Sequence, residues 1–105
     1  MSSRGGRIQL DLNNPEFQER LFALPKDHQR SVLATLGKLS KMTWEDLYRG
    51  AGLRWEAIVS RIGPHGGRLY SLRIGKGFRA VAYRRENWLR ILTLHPDHDS
   101  AYERD

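Results

Sequence analysis

The sequence contains no cysteine and no long hydrophobic run. Without cysteine there is no disulfide framework and no thiolate metal site, so the composition favours a reducing compartment. No apolar stretch is long enough for a transmembrane helix, which argues against a membrane partner. Residues 1–6 also lack the apolar segment of a signal peptide, and we therefore expect a cytoplasmic protein.

Lysine is scarce as well, and arginine supplies most of the positive charge. The chain has fourteen arginines against four lysines, and its net charge is +6. Such a chain attracts polyanions or an acidic protein partner. Arginine binds phosphate through paired hydrogen bonds and stacks on bases, which favours a nucleic acid. A GC-rich genome would raise the arginine count without any function, so the ratio does not decide the matter.

Hydrophobic residues make up 39% of the 105 residues, which is enough for one modest core. This length suits one compact domain, so residues 1–105 are interpreted as a single domain. Residues 7–12 alternate loosely and predict a short first strand. Asn14 as N-cap and Pro15 at the first helical position predict a helix that ends before Pro25.

A second helix is predicted from about Asp27, either as its N-cap or in its first turn. Its apolar stripe contains Val32, Leu33, Leu36 and Leu39. Two helices joined by so few residues should pack as an antiparallel hairpin. The sequence TWED at residues 43–46 resembles a capping box and predicts a further short turn of helix.

From residue 55 the hydrophobic period changes to two, which is typical of strands. The candidate strands are Trp55–Ile62, Leu69–Ile74, Phe78–Arg85 and Trp88–His95. Their short connections favour hairpins. The sequence therefore predicts an α+β fold, with an N-terminal helix hairpin packed on one face of a small, mainly antiparallel, twisted sheet.

The register of the central hairpin predicts which side chains share the face away from the helices. If Ile74 pairs with Phe78 across the Gly-Lys-Gly turn, Arg73 lies directly opposite Arg79. Like charges in such a pair repel each other, so an anion between them is expected. The predicted uncovered face carries Ser71, Arg73, Arg79, Val81 and Tyr83.

The same end of the sheet also collects Lys76 in the turn and His95 at the end of the last strand. Residues 96–102 follow directly and bring His98 and Tyr102. Such a group suits cleavage of an RNA phosphodiester without a metal, because histidine moves protons near neutral pH and arginine stabilises charge on phosphoryl oxygens. We expect no cofactor.

Plainer interpretations stay open for these residues. The arginines could be solvated strand residues in weak surface ion pairs. His95 and His98 have a spacing that could bind a divalent metal, but they follow a strand and a proline rather than a helix, so no metal site is predicted. Tyr83 could stack on a base or be an ordinary strand tyrosine.

The sequence YSLRIGKGFRAVAYR at residues 70–84 resembles the central hairpin of the RelE/ParE toxin superfamily. The polar segment at residues 95–102 is similar to the C-terminal strand and tail of that family. The predicted helix pair agrees with the family's layout less specifically, and residues 43–67 match weakly.

The resemblance implies a RelE-like fold and a toxin of a type II toxin–antitoxin pair, bound and inhibited by an antitoxin in a hetero-oligomer. Members that resemble RelE cut mRNA, usually on the ribosome, by 2′-hydroxyl attack that leaves a cyclic phosphate, and so block translation. Members that resemble ParE inhibit DNA gyrase and need no catalytic residues. An mRNA endoribonuclease is expected here, with a gyrase inhibitor or another basic binding module as the alternative.

The resemblance also implies roles for single residues. Arg79 matches the arginine that stabilises the transition state, and Tyr102 matches a late tyrosine. The predicted catalytic residues are Arg79, His95, His98 and Tyr102, and the predicted RNA- and phosphate-binding residues are Arg73, Lys76, Tyr83 and Arg90. Asp97 and Asp99 are a departure, because the tail of RelE itself is basic and carboxylates weaken phosphate binding.

Overall fold

A five-stranded sheet is the central layer of the computed structural model, which describes residues 6–63 and 66–96. The strands are β1 (Gln9–Asp11), β2 (Glu56–Ile62), β3 (Arg68–Gly75), β4 (Phe78–Arg85) and β5 (Trp88–His95). Their order across the sheet is β1-β5-β4-β3-β2. β1 pairs with β5 in parallel and every other pair is antiparallel, so the predicted mainly antiparallel sheet is confirmed.

The described residues contain three helices, α1 (Pro15–Ala23), α2 (Lys26–Leu39) and α3 (Trp44–Tyr48). The Asn14 side chain accepts the backbone N–H groups of Glu16 and Phe17, so the predicted cap of α1 is confirmed. α2 begins after Pro25 without a side-chain cap, and Asp27 lies in its first turn. α1 packs chiefly on β5, and α2 packs on β3.

The predicted capping box is present at the start of α3. The Thr43 hydroxyl accepts the backbone N–H of Asp46, and the Asp46 carboxylate accepts the backbone N–H of Thr43, both at 3.1 Å. The hydrogen bond from the Thr43 backbone lowers the pKa of Asp46 below its usual value. Trp44 follows directly and is buried, and its Nε1–H donates to the carbonyl of Asn87 in the β4–β5 turn.

The main core lies between the helices and one face of the sheet. It contains Phe17, Val32, Leu36 and Leu39 from the helices and Leu72, Ala80, Ala82, Leu89, Ile91 and Leu94 from the strands. The α+β class is therefore confirmed. Among the described residues, the helices are all too short and too polar to span a bilayer.

The opposite face of the sheet is more buried than the sequence predicts. Ile58, Leu69, Val81 and Tyr83 form a second buried cluster there, with Leu92 packed against it. Ser71 and Arg79, predicted on an uncovered face, are 0% and 4% exposed. The prediction that this whole face is uncovered is thus wrong for its centre, because apolar side chains there bury one another.

Candidate functional site

Three polar side chains form a row across the sheet at the end that carries the β3–β4 turn. Arg73 on β3 pairs with Arg79 on β4, and Arg79 pairs in turn with His95 on β5. Neighbouring strands are about 4.8 Å apart, so the three residues are immediate neighbours. The predicted opposition of Arg73 and Arg79 is confirmed. We call these three residues the Arg–Arg–His row.

One detail of the predicted hairpin is wrong. Phe78 pairs with Gly75 rather than with Ile74, because the register shifts between Arg73 and Gly75. Ile74 is the extra residue of this shift, and its side chain packs against the main core. The turn is therefore tighter than predicted, and Gly77 in it has a φ of +70°, which suits a residue without Cβ.

A β-bulge brings His95 into the row. From the β4–β5 turn, the two strands pair in one register as far as Ala82 and Ile91. The next residue of β4, Val81, then pairs with Thr93, so one residue of β5 is left without a partner. Without this shift Arg79 would face Leu94 instead of His95. The bulged residue, Leu92, lies against the second cluster, so Leu94 returns to the main core and His95 to the face of Arg79.

Arg79 is held from several sides although it carries a charge. Its Nη2 donates to Ser71 Oγ at 2.7 Å and to the carbonyl of Arg54 at 2.9 Å, and lies 3.6 Å from a carboxylate oxygen of Glu56. Its Nε–H is buried and meets no acceptor among residues 6–63 and 66–96. The guanidinium is therefore fixed in orientation, and its Nε–H is a buried donor for which the described residues provide no acceptor.

Arg54 and Glu56 are functional candidates that the sequence analysis missed. Arg54 has a φ of +50°, an unfavourable value for a residue with a side chain, and this turns its carbonyl toward Arg79. Its own guanidinium lies 3.7 Å from the Glu56 carboxylate. No local pattern in the sequence signals this arrangement, since it depends on the contact between the loop before β2 and the middle of the sheet.

A cavity of about 320 Å³ opens beside the row. Four of its lining side chains are cationic (Arg54, Arg73, Lys76 and Arg79) and one is anionic (Glu56). Arg73 and Lys76 are exposed, whereas Arg79 forms the buried floor. This composition suits a phosphate group. Arg73 and Lys76 would contact the phosphate from the solvent side, and Arg79 would lie beneath it in a fixed position. We call this cavity the cationic cavity.

His95 lies at the edge of this arrangement and is 8% exposed. Its Nε2 is 2.7 Å from Thr93 Oγ1 on the same strand, within hydrogen-bond distance. The end of β5 is tied to α1, because Arg20 donates from Nη1 to the carbonyl of Leu94 at 3.0 Å. The imidazole is thus held beside Arg79 by a side-chain contact and by the anchored backbone.

The predicted RNA-binding residues separate into two groups. Arg73 and Lys76 line the cationic cavity, but Tyr83 and Arg90 pair with each other nearer the other end of β4 and β5. Tyr83 is four residues from Arg79 along β4, a separation of about 13 Å. The four residues therefore do not line one cavity, and their role in RNA binding stays a prediction.

Two of the predicted catalytic residues, His98 and Tyr102, lie outside the described residues. The alternative of a metal bound by His95 and His98 is not tested for the same reason. Among residues 6–63 and 66–96, there is no group of three or more histidine, aspartate or glutamate side chains placed to hold a metal ion.

The architecture is similar to that of a chain in a crystal structure of an archaeal RelE–RelB complex from Pyrococcus horikoshii OT3. The TM-score is 0.56 at 20% sequence identity, and the match covers 88% of this chain and 94% of the other. No model of a protein family matches the sequence, and no curated protein matches it. At this identity the comparison shows the fold alone, so the RelE-like fold expected from residues 70–84 is confirmed.

Proposed function

We propose that this chain with a RelE-like fold is the toxin of a toxin–antitoxin pair and cleaves mRNA, in the cytoplasm and on the ribosome. The observation that carries the proposal is the Arg–Arg–His row beside a cationic cavity. Two arginines in direct register would repel each other, and the structure lowers this cost for Arg79 through Ser71, Arg54 and Glu56. Such an arrangement is useful to a protein that binds a polyanion.

The proposed reaction is an internal transfer of the RNA phosphodiester. The 2′-oxygen forms a bond to the adjacent phosphorus while the bond from phosphorus to the 5′-oxygen breaks. The proton of the 2′-hydroxyl passes to a base, and the leaving 5′-oxygen receives a proton from an acid. The products are a 2′,3′-cyclic phosphate and a 5′-hydroxyl, and no redox partner or cofactor is needed.

The described residues supply two of the required functions. Arg79 and Arg73 would stabilise the extra negative charge on the phosphoryl oxygens, because a guanidinium stays protonated and binds through two N–H groups. His95 would carry one of the two protons, with Thr93 orienting its ring. His98 and Tyr102 remain candidates for the second proton transfer.

An antitoxin partner belongs to the same proposal. The structure with the similar fold is a RelE–RelB complex. This chain has a net charge of +6, so an acidic or extended partner chain would be attracted to the face that carries the cationic cavity. A hetero-oligomer with such a partner would cover the row and keep the toxin inactive.

The test is direct mapping of RNA ends. Purified protein is incubated with mRNA, either with ribosomes in buffer that contains Mg²⁺ or without ribosomes in EDTA, and the termini are identified. We expect 2′,3′-cyclic phosphate ends from the parent and none from Arg79→Ala, with no cleavage of a substrate that carries 2′-deoxyribose at the scissile position. Cleavage of the deoxy substrate would contradict the mechanism, and absence of cleavage under all conditions would contradict the proposed activity.

A non-catalytic binder is the second candidate, and the burial of Arg79 favours it. At 4% exposure, with its Nη2 already engaged by protein atoms, Arg79 could serve mainly to hold β2, β3 and β4 together. A gyrase inhibitor with this fold would need no row of catalytic residues. A DNA supercoiling assay separates the two candidates, since the proposed endoribonuclease leaves gyrase activity unchanged.

A further inference from the structure

A second cavity, of about 450 Å³, opens on the same face of the sheet as the Arg–Arg–His row but nearer the β4–β5 turn. Trp88 and Arg90 from β5 and Tyr83 and Arg85 from β4 contribute to its wall. These residues alternate with Leu89 and Ala82, which face the main core, so their side chains share the outer face. We call it the aromatic cavity.

The charges of the aromatic cavity differ from those of the cationic cavity. Arg85 and Arg90 are balanced there by Asp11 and Glu86, whereas the cationic cavity has four cations and one carboxylate. Arg90 Nη1 lies 3.7 Å from Asp11 Oδ2. A balanced site has no general attraction for phosphate, so its ligand should be neutral and should use both donors and acceptors.

The remaining lining fits a planar heterocycle. Trp88 is 45% exposed although it is a large aromatic residue on a strand, and it lines the cavity together with the amide of Asn13. A nucleobase that is not paired is recognised by stacking on an aromatic ring and by side chains that both donate and accept hydrogen bonds. Trp88 and Asn13 provide these two features.

We infer that the aromatic cavity binds one nucleobase of the same RNA strand whose phosphate lies in the cationic cavity. This inference rests on the proposed function and deepens it, because it assigns a subsite for a base away from the cleaved bond. Tyr83 and Arg79 are roughly 13 Å apart along β4. The base in the aromatic cavity and the phosphate in the cationic cavity therefore belong to different nucleotides. The cavity would thus position the strand and contribute to sequence preference.

The test uses RNA that cannot be cut. A fully 2′-O-methylated octamer and a set of octamers with one abasic nucleotide each are titrated by fluorescence anisotropy against the parent, Trp88→Val and Phe22→Ala. Valine keeps the strand preference and removes the stacking surface. Phe22 is the matched control, because it is an exposed aromatic residue, at 75%, on α1 and outside both cavities.

For the parent, we expect one abasic position to weaken binding about tenfold, which is typical of the loss of one stacked base. Trp88→Val should bind the intact octamer about tenfold more weakly and should no longer respond to that abasic position. Phe22→Ala should behave like the parent. Should the valine variant not fold, acrylamide quenching of the parent gives the same information, because bound octamer should shield the exposed Trp88.

Three results would overturn the inference. If the parent binds the octamers but Trp88→Val binds them equally well, the aromatic cavity holds no base, and the proposed nuclease function stands. If an acidic peptide shields Trp88 and the octamer does not, the cavity is a protein-binding surface. If the parent binds no octamer even at low salt, the subsite inference fails, and RNA-end mapping with ribosomes separately tests the proposed function.

Discussion

Arg73 and Arg79 lie directly opposite each other on β3 and β4, yet the first is exposed and the second is 4% exposed. The difference follows from their surroundings, since Arg79 reaches Ser71 and the carbonyl of Arg54 and approaches the carboxylate of Glu56. Arg73 lines the cationic cavity from the solvent side. The two residues should therefore respond differently to substitution.

Replacing Arg79 with lysine should reduce RNA cleavage by about 100-fold or more, the usual cost of losing a donor to transition-state charge. Lysine keeps the charge but cannot reach Ser71 and Arg54 while also offering a second donor to phosphate. The free energy of unfolding should fall by about 1–3 kcal/mol, because buried acceptors lose their partner. Cleavage rates and urea denaturation test both parts. A lysine variant as active as the parent would show that cleavage does not need the guanidinium of Arg79.

Replacing Arg73 with glutamine should weaken RNA binding and lower the slope of log affinity against log salt by about one, as expected for one lost phosphate contact. The free energy of unfolding should change by less than about 0.5 kcal/mol, because the side chain of Arg73 is exposed. Arg30→Gln is the control, since Arg30 is exposed on α2 and lines neither cavity. If the slope of log affinity against log salt is the same for both variants, Arg73 does not contact a phosphate.

Replacing Glu56 with glutamine should strengthen RNA binding severalfold. Its carboxylate lies 3.6 Å from Arg79 and 3.7 Å from Arg54 and repels a phosphate in the cationic cavity. Glu45→Gln is the matched control, because Glu45 also forms an exposed ion pair, with Arg49, but on α3. Weaker binding by Glu56→Gln would mean that this carboxylate matters more for orienting Arg79 than for repelling the ligand.

The capping box of α3 should make stability depend on pH. The backbone N–H of Thr43 lowers the pKa of Asp46, so the folded protein favours the ionised carboxylate. This stabilisation is present above the pKa of Asp46 in the unfolded chain and is lost as the pH falls through its lower pKa in the folded protein. Asp46→Ala should therefore be less stable than the parent at pH 7, and the difference should shrink below about pH 4. A difference that is equal at pH 7 and pH 2.5 in denaturation experiments would contradict this.

Much of the fold could be predicted because its signals are local. The bounds of β4 and β5, the Asn14 cap and the Thr43 capping box were all predicted from neighbouring residues and match the structure. Local signals also predicted that Arg73 lies opposite Arg79, because a short turn allows only a few ways of pairing the two strands that it joins. Arg54 and Glu56 were missed, because their contacts with Arg79 join segments about 25 residues apart in the chain.

Residue type and period alone specified helices before a mainly antiparallel sheet, a basic chain and a pair of facing arginines. They could not specify that Arg79 is buried, that Leu92 forms a bulge, or that His95 therefore lies beside Arg79. The bulge arises because Leu89, Ile91 and Leu94 must all reach one core, and strict alternation along β5 cannot place all three on one face. Packing of the whole chain, rather than any local preference, determines which side chains meet at the candidate site.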